Sequence, residues 1–121
     1  MKITASFIVL LGGLLSCDGA SAHAHLTFAV PADVAVVTSS PTALSLSFTE
    51  GLELALSGAT LTGPDGKAVS TGPTSLGATD DKVMSIAIPD PLGAGAYTVD
   101  WHAFSDDGHA THGTYHFTVG Q

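Results

Sequence analysis

The six histidines of this chain lie in two groups, one near the start and one near the end. They are His23 and His25 in the first group and His102, His109, His112 and His116 in the second. Neutral imidazoles, together with a carboxylate, suit divalent ions such as copper(II), nickel and zinc. This distribution predicts a metal site that is built from two distant parts of the chain.

The first twenty-two residues have the features of a secretory signal peptide. Lys2 gives a short positive region, residues 7–15 are mostly apolar, and Ala20-Ser21-Ala22 is a small-residue cleavage site. We expect cleavage after Ala22 and export of the remaining chain. The remaining domain, residues 23–121, then begins with His23.

A second interpretation of the same segment has a chemical consequence. Residues 14–17 (LLSC) resemble a lipobox, in which Cys17 would be lipidated and retained. The nitrogen of His23 would then stay in a peptide bond. Cleavage after Ala22 instead makes it a basic α-amine with a pKa of about 8.

The tripeptide His23-Ala24-His25 offers two ways of binding a metal ion. The α-amine and imidazole of His23 can form a chelate ring that is completed by distant ligands of a folded site. Alternatively, the amine, the backbone amides and His25 can bind copper(II) in a square plane without any folded partner. Residues 106–109 (DDGH) lie in a turn, where Asp107 and His109 could both reach one ion.

Alternating apolar residues, separated by Gly, Pro, Asp and Ser, predict β-strands throughout the domain. The expected strands cover residues 25–30, 44–48, 52–61, 67–70, 84–88, 97–101 and 115–119. No window has the pattern of a capped amphipathic helix. The fold class is therefore all-β, a Greek-key β-sandwich of about seven strands of the immunoglobulin or cupredoxin kind.

Composition excludes several classes of function. The chain has three Lys or Arg residues, all lysine, against eleven carboxylates, so a basic face for nucleic acid cannot be assembled. The single cysteine, Cys17, precedes the domain, which excludes a disulfide and a blue-copper centre there. No Gly-x-Ser-x-Gly elbow or convincing carboxylate pair indicates hydrolysis. We expect a monomer that is not an enzyme.

Several motifs, in this order, resemble the CopC copper-resistance family over nearly all of the domain. They are residues 23–26 (HAHL), 46–50 (LSFTE), 95–101 (GAYTVDW), 105–109 (SDDGH) and 113–117 (GTYHF). The resemblance implies a periplasmic β-sandwich that carries or buffers copper(II) in copper homeostasis or resistance. It also implies a membrane partner of the CopD type.

The resemblance assigns the metal ligands residue by residue. The matching positions are His23, with its amine, together with Asp107 and His109. His25 matches the second N-terminal histidine of the family and is included, although whether His25 or His112 coordinates stays open. Glu50 is predicted to accept a hydrogen bond from the amine of His23 without binding the metal itself.

Two kinds of copper site in other proteins bear on the function of this chain. Some members of the family have a methionine-rich copper(I) site, which we expect to be missing because Met84 is the only methionine after residue 22. Copper oxygenases that attack polysaccharides also use an N-terminal histidine brace. An oxidoreductase of that type is therefore the alternative function, although the chain has little room for a flat aromatic platform.

Overall fold

The computed structural model describes residues 23–120, which form two β-sheets packed face to face. The nine strands of this region are β1 (Leu26–Val30), β2 (Val36–Val37), β3 (Ala43–Phe48), β4 (Gly58–Thr62), β5 (Ala68–Val69), β6 (Thr74–Leu76), β7 (Val83–Ala87), β8 (Gly95–Phe104) and β9 (Ala110–Val119). None of the described residues belongs to a helix long and apolar enough to cross a membrane. The predicted signal peptide and Cys17 lie outside the described residues.

The strand order confirms the predicted two-sheet β-sandwich. One sheet has the order β1-β3-β7-β6 and the other the order β2-β9-β8-β4-β5. The chain crosses repeatedly from one sheet to the other, and all pairings are antiparallel except that of β2 with β9. Strand β1 and the first half of β9 therefore lie at sheet edges.

The core lies between the sheets and follows the period-two pattern of the sequence. In β3, Leu44, Leu46 and Phe48 are buried while the intervening serines are half-buried. Facing strands contribute residues at the same alternation, including Met84, Ile86, Val99 and Phe117. Met84 is fully buried in this core. It is therefore a packing residue, as its spacing in the sequence predicts.

The strand predicted over residues 52–61 is wrong in its first half. Leu54–Leu56 form a single 3₁₀ turn, and the side chains of Leu54 and Leu56 are exposed. The backbone amide of Glu53 donates to the carbonyl of Phe104, and that of Leu56 donates back to Glu53, so the chain turns before it enters β4. The short strands β2 and β6 were not predicted, because so few residues carry no readable alternation.

The long hairpin of β8 and β9 places the predicted Asp-Gly-His turn at one end of the sandwich. Ten residues of each strand pair in continuous antiparallel register, from Gly95 opposite Val119 to Phe104 opposite Ala110. Residues 105–109 connect the two strands. Their position is consequently fixed by the longest strand pair in the described structure.

Candidate metal centre

The turn between β8 and β9 is organised around the fully buried Ser105. The backbone amide of Ser105 donates to the carbonyl of His109 at 2.9 Å, and the amide of Gly108 donates to the carbonyl of Ser105 at 2.9 Å. Gly108 has a φ of 91°, a left-handed conformation that glycine adopts without strain. The Ser105 hydroxyl donates to Oδ1 of Asp107. One buried serine, through its backbone and its hydroxyl, thus orders both the backbone and the carboxylate of the turn.

Asp107 and His109 contact each other through the same carboxylate oxygen. Nδ1 of His109 lies 3.1 Å from Oδ1 of Asp107, and the two side chains are 47% and 40% exposed. The hydrogen bond from Ser105, followed by that from His109, holds the pKa of Asp107 below its ordinary value. The carboxylate therefore stays ionised at neutral pH, which is the state that a metal ligand requires.

The N-terminal segment, residues 23–25, reaches this turn without belonging to a strand. Ala24 is completely buried, and its carbonyl accepts a 2.7 Å hydrogen bond from the Thr111 hydroxyl of β9. The Thr49 hydroxyl donates to the carbonyl of His23 at 3.1 Å and accepts from the amide of His25 at 3.0 Å. Two threonines and one buried methyl group therefore hold this segment across the end of the sandwich.

These contacts bring His23 and His25 of the first histidine group close to His109 of the second group. The ring centroids of His23 and His109 are 4.6 Å apart with an interplanar angle of 34°. Those of His23 and His25 are 6.4 Å apart. Four of the predicted ligands, His23, His25, Asp107 and His109, consequently lie side by side at one end of the molecule.

The donor atoms of the turn are spaced as two ligands of one ion would be. Atoms that lie about 2.0 to 2.2 Å from a divalent first-row ion are about 3 Å from each other in neighbouring coordination positions. The 3.1 Å separation of Nδ1 of His109 and Oδ1 of Asp107 matches this value and is also that of the hydrogen bond between them, so an ion bound to both atoms would replace the proton of that bond. No three His, Cys, Asp or Glu side chains among residues 23–120 already form a closed metal-binding set.

The other residues singled out in the sequence lie around this site. Glu50 directly follows Thr49 and is half-buried, and within residues 23–120 its carboxylate forms no hydrogen bond or ion pair. His102, His112 and His116 are exposed on β8 and β9. Trp101 is half-buried and packs edge to face against Phe48 with centroids 5.2 Å apart.

Sequence reasoning missed the three hydroxyl residues that position the ligands, Ser105, Thr49 and Thr111. Two of them could have been found, since Ser105 begins the SDDGH motif and Thr49 lies in the LSFTE motif. Thr111 gave no signal, because its contact with the Ala24 carbonyl depends on the docking of a distant segment.

Comparison with known proteins decides the family. A model of the CopC domain matches residues 26–120. The chain belongs to the CopC family. Protein YobA of Escherichia coli (strain K12) is 47% identical over 98 residues, covering 81% of this chain and 79% of that protein. Copper resistance protein C of Escherichia coli is 41% identical over 120 residues, covering 92% and 94%.

Solved CopC structures agree with the fold described above. CopC from Methylosinus trichosporium OB3b has a TM-score of 0.75 and 33% identity, covering 81% of this chain and 94% of that chain. PcoC, a methionine-rich copper resistance protein from Escherichia coli, has a TM-score of 0.71 and 38% identity, covering 80% and 98%. The CopC family is a family of copper-binding copper-resistance proteins.

Proposed function

We propose that the protein binds one copper(II) ion in the periplasm and acts as a carrier or buffer of that ion. The observation that carries the proposal is the 4.6 Å approach of the His23 and His109 rings, which are 86 residues apart in the sequence. The contact of His109 with the ionised Asp107 adds a negative charge at the same place. Imidazoles with a carboxylate are a favourable donor set for copper(II).

In this proposal the ion is held jointly by the two parts of the site. His23 supplies its α-amine and imidazole once Ala22 has been removed, while Asp107 and His109 supply the ligands of the turn. His25, at 6.4 Å from the His23 ring, is the additional candidate at the exposed side. Glu50 accepts a hydrogen bond from the His23 amine, which exists only in a chain that begins at His23.

The donor set favours copper(II) over copper(I). Copper(I) prefers thioethers and thiolates. The only methionine in residues 23–120, Met84, is fully buried between the sheets and cannot reach an ion at the end of the sandwich. This chain therefore lacks the donors of a methionine-rich copper(I) site within the described residues.

Binding is a better-supported function than catalysis. A histidine-brace oxygenase remains the alternative, since it would use the same amine and imidazole of His23. Exposure of the Asp107 and His109 side chains suits the transfer of an ion to another protein. The resemblance to the family names a CopD-type membrane protein as the receiver in that transfer.

The test is titration of the exported protein with copper(II), monitored by electron paramagnetic resonance. We expect the first equivalent to give a type-2 spectrum with nitrogen hyperfine structure from imidazoles. Competition with a copper(I) chelator should show weaker binding of the reduced ion. Tighter binding of copper(I) than of copper(II), or an intense thiolate charge-transfer band, would contradict the proposal.

A further inference from the structure

Two histidines outside the candidate copper centre lie directly opposite each other on neighbouring strands. His102 of β8 pairs in register with His112 of β9, and both are exposed. Their neighbours along the strands, Ala103 and Thr111, are at least partly buried. The two imidazoles therefore leave the sheet on its outer, solvent-facing side.

The hydrogen-bond pattern of the hairpin identifies the kind of pair that they form. Ser105 and His109 are a hydrogen-bonded pair, because the amide of Ser105 donates to the carbonyl of His109. Hydrogen-bonded and non-hydrogen-bonded pairs alternate along an antiparallel ladder. His102 and His112, three register steps further, are consequently a non-hydrogen-bonded pair. Side chains approach most closely at such positions, with Cβ atoms about 4.5 to 5.5 Å apart.

The surroundings of the pair leave room for an ion. The residue opposite His102 on the other side is Gly58 of β4, which has no side chain. The His102 ring lies over this glycine, with Cε1 3.2 Å from the point where a β-carbon would be. Rotation of an exposed side chain about its Cα–Cβ bond takes nanoseconds or less, so the ring can turn toward His112. One step along the same face, Asp100 accepts a 2.6 Å hydrogen bond from Thr114.

The pair lies on the outer face of the hairpin, whereas Thr111 points inward and donates to the carbonyl of Ala24. His112 also borders a surface groove that Ala24 and His25 line, so substitutions must distinguish the pair from the candidate copper centre. We propose that His102 and His112 form a second, weaker and exchangeable site for a divalent cation of the copper, nickel and zinc class. Water completes the coordination shell, and Asp100 adds a negative charge nearby.

Zinc titration of the full chain, monitored through the imidazole resonances by nuclear magnetic resonance, tests this site. Zinc is diamagnetic, so each histidine can be observed separately. The rings of His102 and His112 should shift together with one common midpoint. Failure of these two rings to shift, or shifts with different midpoints, would overturn the proposal.

Substitutions then test whether the two rings act as a pair. His112→Gln should raise the zinc midpoint of His102 about tenfold or more, since one of the two coordinating imidazoles is lost. His102→Gln should do the same to His112. The matched control is His116→Gln, on the same face of β9 but opposite Thr98, which should change neither midpoint. An unchanged His102 midpoint in His112→Gln would contradict the proposal.

A last variant separates this site from the proposed function. Asp107→Ala should leave the common midpoint of His102 and His112 unchanged, whatever it does to copper(II) at His23 and His109. If His112→Gln instead shifted the midpoint of His23 and His109, His112 would belong to the first centre and the second site would not exist.

Discussion

The two halves of the candidate copper centre are built in different ways. The turn half, Asp107 and His109, is held by a ten-residue strand pair and by the buried Ser105. The N-terminal half, residues 23–25, has no regular secondary structure and is held by two threonine hydroxyls and the burial of Ala24. The turn half therefore forms as a direct consequence of folding, whereas the N-terminal half depends on docking, and in the proposed function its amine also requires removal of the preceding residues.

This difference assigns separate tasks to the two halves. In the proposed function, the turn supplies a preordered anion and imidazole, and the N-terminus supplies the amine that an internal position cannot provide. A copper ion that binds both halves also ties the ends of the domain together. Each half can be weakened by substitutions that leave the other intact, which makes the comparison testable.

Loss of a ligand from the turn should have the largest effect. Asp107→Ala and His109→Ala should each weaken copper(II) binding by more than the roughly 10- to 100-fold typical of losing an outer-shell partner. The spectrum should change as well, since a donor atom is removed. Competition with a chelator of known affinity, together with electron paramagnetic resonance, measures both. Parental affinity and spectrum in both variants would mean that residues 23–25 bind copper alone.

Asp107→Asn is the matched variant for the role of the carboxylate. It keeps the shape of the side chain and an oxygen that can accept from His109, but removes the charge. If Asp107 binds the ion, the affinity should fall nearly as far as in Asp107→Ala. An affinity close to that of the parent protein would instead make Asp107 a residue that orients the His109 ring.

Removal of the hydroxyl beneath the turn should have an intermediate effect. Ser105→Ala deletes the hydrogen bond to Asp107, so the pKa of the carboxylate should rise toward its ordinary value. Copper(II) affinity should fall about 10- to 100-fold, as for other outer-shell partners. Chelator competition measures the affinity, and thermal unfolding of the metal-free protein shows whether the turn alone or the whole domain has been weakened.

Loosening of the N-terminal half should have a smaller effect on affinity. Thr111→Val removes the hydrogen bond to the Ala24 carbonyl, worth about 0.5 to 1.5 kcal/mol, or roughly a factor of 2 to 10 in docking. The control is Thr114→Val on the outer face of the same strand, which loses only its contact with Asp100. Thr111→Val should weaken copper(II) binding by about that factor, and Thr114→Val should not. Equal effects of the two variants would count against docking through Thr111.

Substitution of Tyr115, a core residue of β9, should have the smallest effect on copper binding. Burial, followed by the charge of Asp33, raises the pKa of Tyr115 to about 12. Its buried hydroxyl has no hydrogen-bond partner among the described residues. Tyr115→Phe should therefore leave copper binding unchanged and the free energy of unfolding equal or higher at neutral pH.

The raised pKa of Tyr115 also predicts how the free energy of unfolding changes at alkaline pH. The pKa of Tyr115 is higher in the folded chain than the ordinary value of about 10, so its neutral form favours folding. That contribution is complete below about pH 10 and is lost as the pH rises toward 12. Denaturant titrations should show that the parent protein loses more stability across this window than Tyr115→Phe. A steeper loss in the variant would contradict the assignment.

The sequence predicted the fold and the approach of His23 to His109 better than it predicted the hydroxyl residues that position them. Strict alternation in β3, β7, β8 and β9 is a local signal that survives in the structure. The strand prediction failed at Leu54 and Leu56 because apolar side chains in a short exposed turn have the same sequence pattern as strand residues. The hydrogen bond of Thr111 to Ala24 joins residues far apart in sequence, and no pattern along the chain reveals it.

The central claim is that one copper(II) ion is bound jointly by the turn and by the free N-terminus of His23. Copper(II) affinity at neutral pH should be compared for a chain that begins at His23 and for one with a single glycine added before it. The glycine converts the amine to an amide, which has no basic lone pair and breaks the chelate ring, while circular dichroism should show the same β-fold. We predict a loss of affinity larger than that of Thr111→Val. Equal affinities would contradict the account.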